Sequence, residues 1–203
     1  MTTTTEKRIT VKEFFEMELE EGFFYELING HVVAKKSGYT PRHQAVLGNI
    51  AMKIHDFVEK KQLGEFFIGP LDVFFDDYNN TQPDILFVRK DREFLITNNG
   101  VEGAPDLIVE VLSPSTFRTD RKDKMEVYCQ FGVAEYWIID PKNQSVEVYV
   151  LENDRYEMQS FAIETGKIES KVLAGLKMDI SKIFWKTNAL MPEKRTILKS
   201  SAF

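Results

Sequence analysis

The residues best suited to chemistry lie in one stretch, residues 103–128, GAPDLIVEVLSPSTFRTDRKDKMEVY. It sets a single carboxylate, Glu110, inside an apolar run, follows it with Ser-Pro-Ser-Thr, and continues into a segment dense in Arg and Lys. Residues 106–112 read as a strand covered on both faces. Alternation then points Asp106, Ile108, Glu110 and Leu112 one way and Leu107, Val109 and Val111 the other. An ionised carboxylate walled in by aliphatic neighbours is costly unless it is paired, metal-bound or protonated, so a cation belongs opposite Glu110.

The helix predicted after the turn offers one. Met125, Tyr128, Cys129 and Gly132 recur at helical spacing, and Lys124 shares their stripe, four residues before Tyr128. Three readings of an inward Lys124 stand: a functional ammonium, a buried ion pair, or a packed stem whose head reaches water. Two Pro-Asp pairs precede Glu110. Asp106 is four residues away on the same strand, roughly 13 Å, too far to share a cation whose ligands sit about 2.0 to 2.6 Å from it. Its expected place is a strand end. Asp84, in QPDILFV, belongs to a separate strand. If the two strands are neighbours, about 4.8 Å apart, the Asp84 and Glu110 carboxylates converge on one hard divalent ion.

Several elements must position these groups. A long helix is predicted over residues 41–62, with Thr40 as cap, Pro41 in the first helical position and Gly64 as the stop. Its apolar stripe is Leu47, Ile50, Ile54, Phe57 and Val58, extended backwards to His43. His43 is therefore inward, either as a satisfied core histidine or as a group at the site. Thr10 caps a short helix at about residues 11–20 with Glu13 as capping-box partner. Asn29-Gly30 joins paired strands at 23–28 and 31–35. Glu26 falls on the face opposite Tyr25 and Leu27, toward either solvent or a cleft. Strands follow at 65–75 and 84–88, a polar loop at 91–100, the strand carrying Glu110, the helix to Phe131, and a strand at 135–140 closed by Pro141. Residues 145–151 and 155–163 form a hairpin turning at Glu152-Asn153-Asp154. This order gives an α/β (α+β) domain, a mixed β-sheet flanked by helices, with an added N-terminal hairpin and C-terminal β-hairpin.

With 203 residues and 43% hydrophobic side chains, the chain suits one domain, residues 9–184, between a disordered start, 1–8, and a tail, 185–203, that is frayed or packs on a partner chain. No apolar run nears the roughly 20 residues that span a bilayer, and the polar start has no signal-peptide character. The single cysteine, Cys129, reads as a small core residue, and a cytoplasmic location follows as the simplest expectation. A net charge of -6 and a pI near 5.2 exclude coating of nucleic acid through the overall field. Local patches still act within a Debye length of roughly 8 to 10 Å. Three occur: Arg118, Arg121, Lys122 and Lys124; Arg89, Lys90 and Arg92; Lys35, Lys36 and Arg42. Each taken alone reads as a solvated helix end or loop.

The combination of QPDILFV, APDLIVEVLSPST, D-x-x-x-K-x-x-x-Y and GVAEYWIIDP, with YELINGHVV and the His43 segment upstream, resembles the Uma-two family of restriction endonucleases. That family is a branch of the PD-(D/E)XK nuclease-like superfamily, and the likeness covers roughly residues 11–183. The resemblance implies a restriction-endonuclease-like core in which Mg²⁺ or Mn²⁺ activates water to attack a phosphodiester. Asp84 matches the motif's aspartate and Glu110 its second acidic residue, both metal ligands. Glu26 matches an upstream glutamate, a further ligand or a group that positions water. Lys124 matches the family's lysine on the helix, and His43 a family histidine that binds phosphate, orients a carboxylate or packs. Where the superfamily places a lysine, two residues after the glutamate, this chain has Leu112.

The expectation is thus a Mg²⁺-dependent endonuclease acting on DNA, in a homodimer, the commonest soluble oligomer. Two alternatives stand beside it. One is an inactive nuclease-like scaffold serving as a nucleic-acid or protein binding module. The other is a structural Glu110–Lys124 pair without metal.

Overall fold

The computed structural model describes residues 7–36 and 40–184; the expectations for the first six residues and for the tail at 185–203 lie outside the described residues. Helix α1 (Val11–Phe15) begins with the predicted capping box, Glu13 N–H on Thr10 Oγ1 at 3.2 Å and Thr10 N–H on Glu13 Oε2 at 2.7 Å. It ends well before residue 20, because Met17 and Leu19 find no apolar surface and stay exposed. Strands β1 (Phe23–Ile28) and β2 (His31–Lys36) pair about Asn29-Gly30, whose φ of 53° and 77° are those of the expected primed turn.

Helix α2 (Pro41–Lys61) is capped by Thr40, whose Oγ1 accepts the His43 N–H at 3.1 Å. Gln62, with φ 53°, takes the left-handed C-cap expected of Gly64. Gly64 serves another purpose, since a Cβ there would collide with the Val88 carbonyl of the neighbouring strand. The predicted strand at 65–75 is two strands in different sheets, β3 (Gly64–Ile68) and β4 (Val73–Asp76). The chain turns between them at Gly69-Pro70, where the Pro83 carbonyl leaves no room for a Cβ. The remaining elements are β5 (Asn79–Thr81), β6 (Ile85–Arg89), β7 (Ile96–Thr97), β8 (Gly100–Glu102), β9 (Leu107–Val111), α3 (Lys124–Gln130), β10 (Glu135–Asp140), β11 (Ser145–Glu152), β12 (Arg155–Ile163), β13 (Lys167–Glu169) and β14 (Lys177–Asp179). The β11–β12 hairpin turns through Asn153 and Asp154 at positive φ, as the sequence requires.

The α+β class holds, with two large mixed sheets in place of one. The first has the order β2-β1-β5-β4-β8-β7, the second β12-β11-β10-β9-β6-β3, and β13-β14 is a separate ribbon. Only β4–β8 and β9–β10 are parallel among the described pairs, and α3 lies on the crossover between β9 and β10. Alternation in the second sheet feeds two cores. Ile85, Phe87, Leu107, Val109 and Val111 pack under Val46, Ile50, Ile54 and Val58 of α2. Leu86, Val88, Ile108 and Ile138 face the other way, toward Val127 and Tyr128 of α3 and Ile28, Val73 and Val101 of the first sheet. Burying such aliphatic side chains contributes about 1.5 to 3 kcal/mol each, and it fixes which face every polar residue of β9 must occupy. No described helix is long and apolar enough to cross a membrane.

Candidate functional site

Glu110 emerges on the α3 side of β9, flanked by Ile108 and Leu112, and is 1% exposed. Lys124 Nζ donates to its Oε1 at 2.6 Å, and Tyr128 Oη donates to the same oxygen at 2.9 Å. Lys124 Nζ also lies 2.8 Å from Glu26 Oε1 and 3.6 Å from Asp120 Oδ1. Lys124 is wholly buried, which rules out a head group reaching water.

The local backbone explains this placement. Thr119–Asp123 form a π turn in which the Lys124 N–H bonds Thr119 O, before α3 continues as a regular helix. Residues four apart, Asp120, Lys124 and Tyr128, consequently face the sheet together. Cys129 turns away from that line. It is half-exposed, with Sγ donating to Asp154 O at 3.4 Å, so the expectation of a core cysteine is corrected. The buried positions of α3 are Lys124, Val127 and Tyr128.

Glu26 reaches the same cluster from β1 and faces the interior. Its Oε1 accepts the Gln82 N–H at 2.7 Å as well as Lys124, and Lys35 Nζ is 2.9 Å from Oε2 in an ion-pair contact without hydrogen-bond geometry. Both oxygens are therefore occupied by cations or donors.

Asp84 ends the loop into β6. The β6–β9 register pairs Ile85 with Val109, so one further step sets Asp84 opposite Glu110 on the same face. Asp84 Oδ2 accepts the Val111 N–H at 2.7 Å, which brings this carboxylate to within about 5 Å of the Glu110 Cα. His43 Nε2 donates to Val111 O at 2.8 Å and lies 3.6 Å from Asp84 Oδ2. The two backbone groups of Val111 thus tie Asp84 and His43 to the residue after Glu110. Asp106 is at the other end of β9, where Arg89 N–H and Arg92 Nη1 both donate to it at 2.9 Å.

Charge explains the protonation pattern. Four buried carboxyls, Glu26, Asp84, Glu110 and Asp120, face two lysines, Lys35 and Lys124. Burial raises the Glu110 pKa to about 8, with Asp120 and Asp84 adding to the rise and Lys124 opposing it. Burial likewise raises Asp120. For Glu26, burial is outweighed by Lys124 and Lys35, which hold its pKa below the usual range. For Asp84 it is outweighed by His43. Lys124 is driven well above its ordinary value, because Glu110 and Glu26 overcome the opposing cost of burial. The cluster is one in which the excess acid is carried as a proton on Glu110 or Asp120.

Several members of the basic patches are drawn into ion pairs, whereas Arg42, Lys90, Arg118 and Lys122 are exposed. Arg121 grips Glu147 through two nitrogens at 3.0 and 2.6 Å, Arg89 and Arg92 surround Asp106, and Lys35 serves Glu26.

Among the described residues, no three His, Cys, Asp or Glu side chains form a ready-made metal cage. Asp84 Oδ1 and Glu110 Oε2 accept no hydrogen bond among the described residues; Glu26 Oε2 and Asp120 Oδ1 accept none either, but those two lie 2.9 Å from Lys35 Nζ and 3.6 Å from Lys124 Nζ, respectively. The Asp84–Glu110 pair fits a hard ion such as Mg²⁺, which binds through one or two carboxylates and keeps several waters. Asp120, Tyr128 and Gln82 join the network without having been given a site role from the sequence, although Asp120 and Tyr128 stand in the D-x-x-x-K-x-x-x-Y segment. The first two had a signal, the i, i+4, i+8 spacing around Lys124; Gln82 contributes a backbone N–H, which no residue type announces.

A crystal structure from Anabaena variabilis, titled as "a putative nuclease belonging to DUF820", superposes with a TM-score of 0.70 at 24% identity, covering 87% of this chain and 97% of that one. At that identity the likeness establishes the fold alone. No curated protein matches the sequence. The model of the Uma2 family, described as "Putative restriction endonuclease", matches residues 11–181, and the chain belongs to that family.

Proposed function

We propose that the protein is a metal-dependent endonuclease that hydrolyses phosphodiester bonds in DNA, with Asp84 and Glu110 as the two protein ligands of a Mg²⁺ or Mn²⁺ ion. The observation that carries this reading is the pair of oxygens without a donor, Asp84 Oδ1 on the residue before β6 and Glu110 Oε2 on β9, drawn near each other by the Val111 N–H bond to Asp84. When bound, such an ion lowers the pKa of its water and offsets charge on a phosphoryl oxygen. The protein's own groups prepare that place. The Val111 peptide fixes Asp84 through its N–H and His43 through its carbonyl, while Lys124 and Tyr128 fix Glu110 by its other oxygen. Lys124 is a positioning residue in this scheme. It stands on the helix in place of the strand lysine that Leu112 replaces, and its charge acts on the site at short range through a low-dielectric interior. Glu26 is the anchor that holds Lys124 and Lys35, since its own oxygens are engaged.

The test is cleavage of single- and double-stranded DNA with Mg²⁺ or Mn²⁺ by the wild type, Asp84→Ala and Glu110→Ala. Activity in the wild type alone is expected. No cleavage by the wild type, or undiminished cleavage by both variants, overturns the reading. The complete burial of Lys124 between Glu26 and Glu110 favours a second one, a nuclease-like scaffold whose ion pairs are structural. Calorimetry with Mn²⁺ separates the two, because the scaffold binds no stoichiometric ion.

A further inference from the structure

A groove of about 640 Å³ runs between α2 and the β13–β14 ribbon, on the α2 side of the second sheet, whereas Glu110 faces α3. Five lysines line it: Lys53 and Lys60 from α2, and Lys167, Lys177 and Lys182 from the C-terminal segment. The acids in its wall are Asp56 and Asp179. Lys177 is paired with Glu169 at 3.1 Å, and Asp179 Oδ1 accepts both the N–H and the hydroxyl of Ser181. Lys53, Lys60, Lys167 and Lys182 form no ion pair within 4 Å among the described residues, although Lys182 and Lys167 add to the Ser181 hydrogen bonds in lowering the Asp179 pKa. Lys61 borders the groove, with Nζ over the Phe57 ring at 4.3 Å.

Such a concentration of lysines, four of them without a close ion pair and facing only two acids, is unexpected in a chain of net charge -6. Complementing a helix C-terminus accounts for Lys60 and Lys61 but not for Lys53, Lys167 or Lys182. The helix also connects the groove to the Asp84 end of the molecule. At 3.6 residues per turn, Arg42, Lys53 and Lys60 fall within about 20° of one another around α2, and Arg42 is exposed one residue before His43. From Arg42 to Lys60 the helix rises about 27 Å, the length of about eight base pairs of duplex.

We propose that Arg42 and this lysine groove form a docking track for the phosphodiester backbone of double-stranded nucleic acid, flanking the bond presented to Asp84 and Glu110. The position of the track relative to the cut rests on the endonuclease reading; the binding of duplex by the lysines does not. Each engaged lysine neutralises one phosphate and releases counterions, so the contribution of the groove is salt-dependent and independent of sequence.

The experiment is fluorescence anisotropy with a duplex of about 30 base pairs, over a series of salt concentrations, using full-length protein carrying Asp84→Ala to prevent cutting. Into that background go Lys53→Glu, Lys60→Glu, Lys167→Glu and Lys182→Glu together. A matched set, Lys12→Glu, Lys90→Glu, Lys142→Glu and Lys171→Glu, changes net charge equally at exposed positions elsewhere. The groove set is expected to raise Kd at least about tenfold and to flatten the slope of log K against log salt by about 0.9 for every phosphate that is no longer neutralised, with the matched set moving Kd less than about threefold. Equal losses of affinity in the two sets, no loss in the groove set, or no duplex binding by Asp84→Ala overturns the proposal. If melting shows that the Glu set is unfolded, the corresponding Gln set is judged by the same criteria. A hairpin stem of about six base pairs, too short to span site and groove, separates the two readings. With Asp84 present, the groove variants should cut it as the wild type does. Failure of the wild type to cut it counts against the endonuclease reading and leaves the binding comparison standing.

Discussion

Glu110 and Glu135 are both fully buried carboxylates on adjacent parallel strands, and their surroundings differ completely. Glu135 is saturated. Its Oε1 accepts Trp137 Nε1 at 2.6 Å and Ser170 Oγ at 2.7 Å, and its Oε2 accepts the N–H groups of Lys171 and Val172 at 2.6 and 2.8 Å. Four neutral donors consume both oxygens and clasp the 170–172 turn to β10. Glu110 is served on one oxygen only, by a lysine and a phenol, and carries an acid opposite it in Asp84. The difference separates a carboxylate whose oxygens are both consumed by the fold from one that keeps an oxygen without a donor.

The largest effect expected is from Lys124→Met. It leaves Glu110 buried without its cation and Glu26 with Lys35 alone, and should cost about 3 to 5 kcal/mol in urea unfolding. Adding Glu26→Gln and Glu110→Gln to it should restore most of that; no restoration would mean that packing of the lysine stem, not charge, dominates. Glu135→Gln comes next, at about 2 kcal/mol, because an amide offers hydrogens to donors that need acceptors. Cleavage per folded molecule should be unchanged, and a selective loss of activity would erase the contrast between the two glutamates.

Glu110→Gln should cost only about 1 kcal/mol, since Lys124 keeps Glu26 and burial already favours the uncharged Glu110 carboxyl. It should nevertheless abolish any rise in melting temperature on adding Mn²⁺. An undiminished rise in this variant would place the ion elsewhere.

The pH dependence completes the comparison. The Glu110 carboxyl titrates near 8 in the folded protein against an ordinary value of 4.5, so between these values the unfolded chain binds fewer protons and the Glu110 contribution to stability falls as pH rises. Glu110→Gln should flatten that part of the curve of stability against pH. An ion at Glu110 must displace the proton, so Mn²⁺ affinity should increase as pH rises toward about 8, with proton release seen as buffer-dependent heat in calorimetry. A pH-independent affinity would contradict the assignment of that proton.

Much of this site is legible in the chain because alternation in a doubly buried strand leaves Glu110 only one direction, and helical spacing brings Lys124 toward it. The caps at Thr10 and Thr40 and the turns at Asn29-Gly30 and Asn153-Asp154 follow from local chemistry. What local chemistry does not specify is long-range. The division of residues 64–76 between two sheets depends on the close approach of Gly69 to Pro83, and the burial of Glu26 depends on the first sheet closing over α3. Arg121 reads as part of a basic patch until β11 brings Glu147 to it. The π turn at Thr119–Asp123 likewise has no periodic signal.

The central claim is that Asp84 and Glu110 jointly hold a divalent cation, whereas Glu135 is closed to one. Anomalous diffraction from a crystal soaked in Mn²⁺ tests it most directly. The account predicts one strong peak about 2.0 to 2.6 Å from an oxygen of each of Asp84 and Glu110, with Lys124 still on the other Glu110 oxygen. A fully soaked crystal with no peak there, or with the ion bound elsewhere, would contradict it.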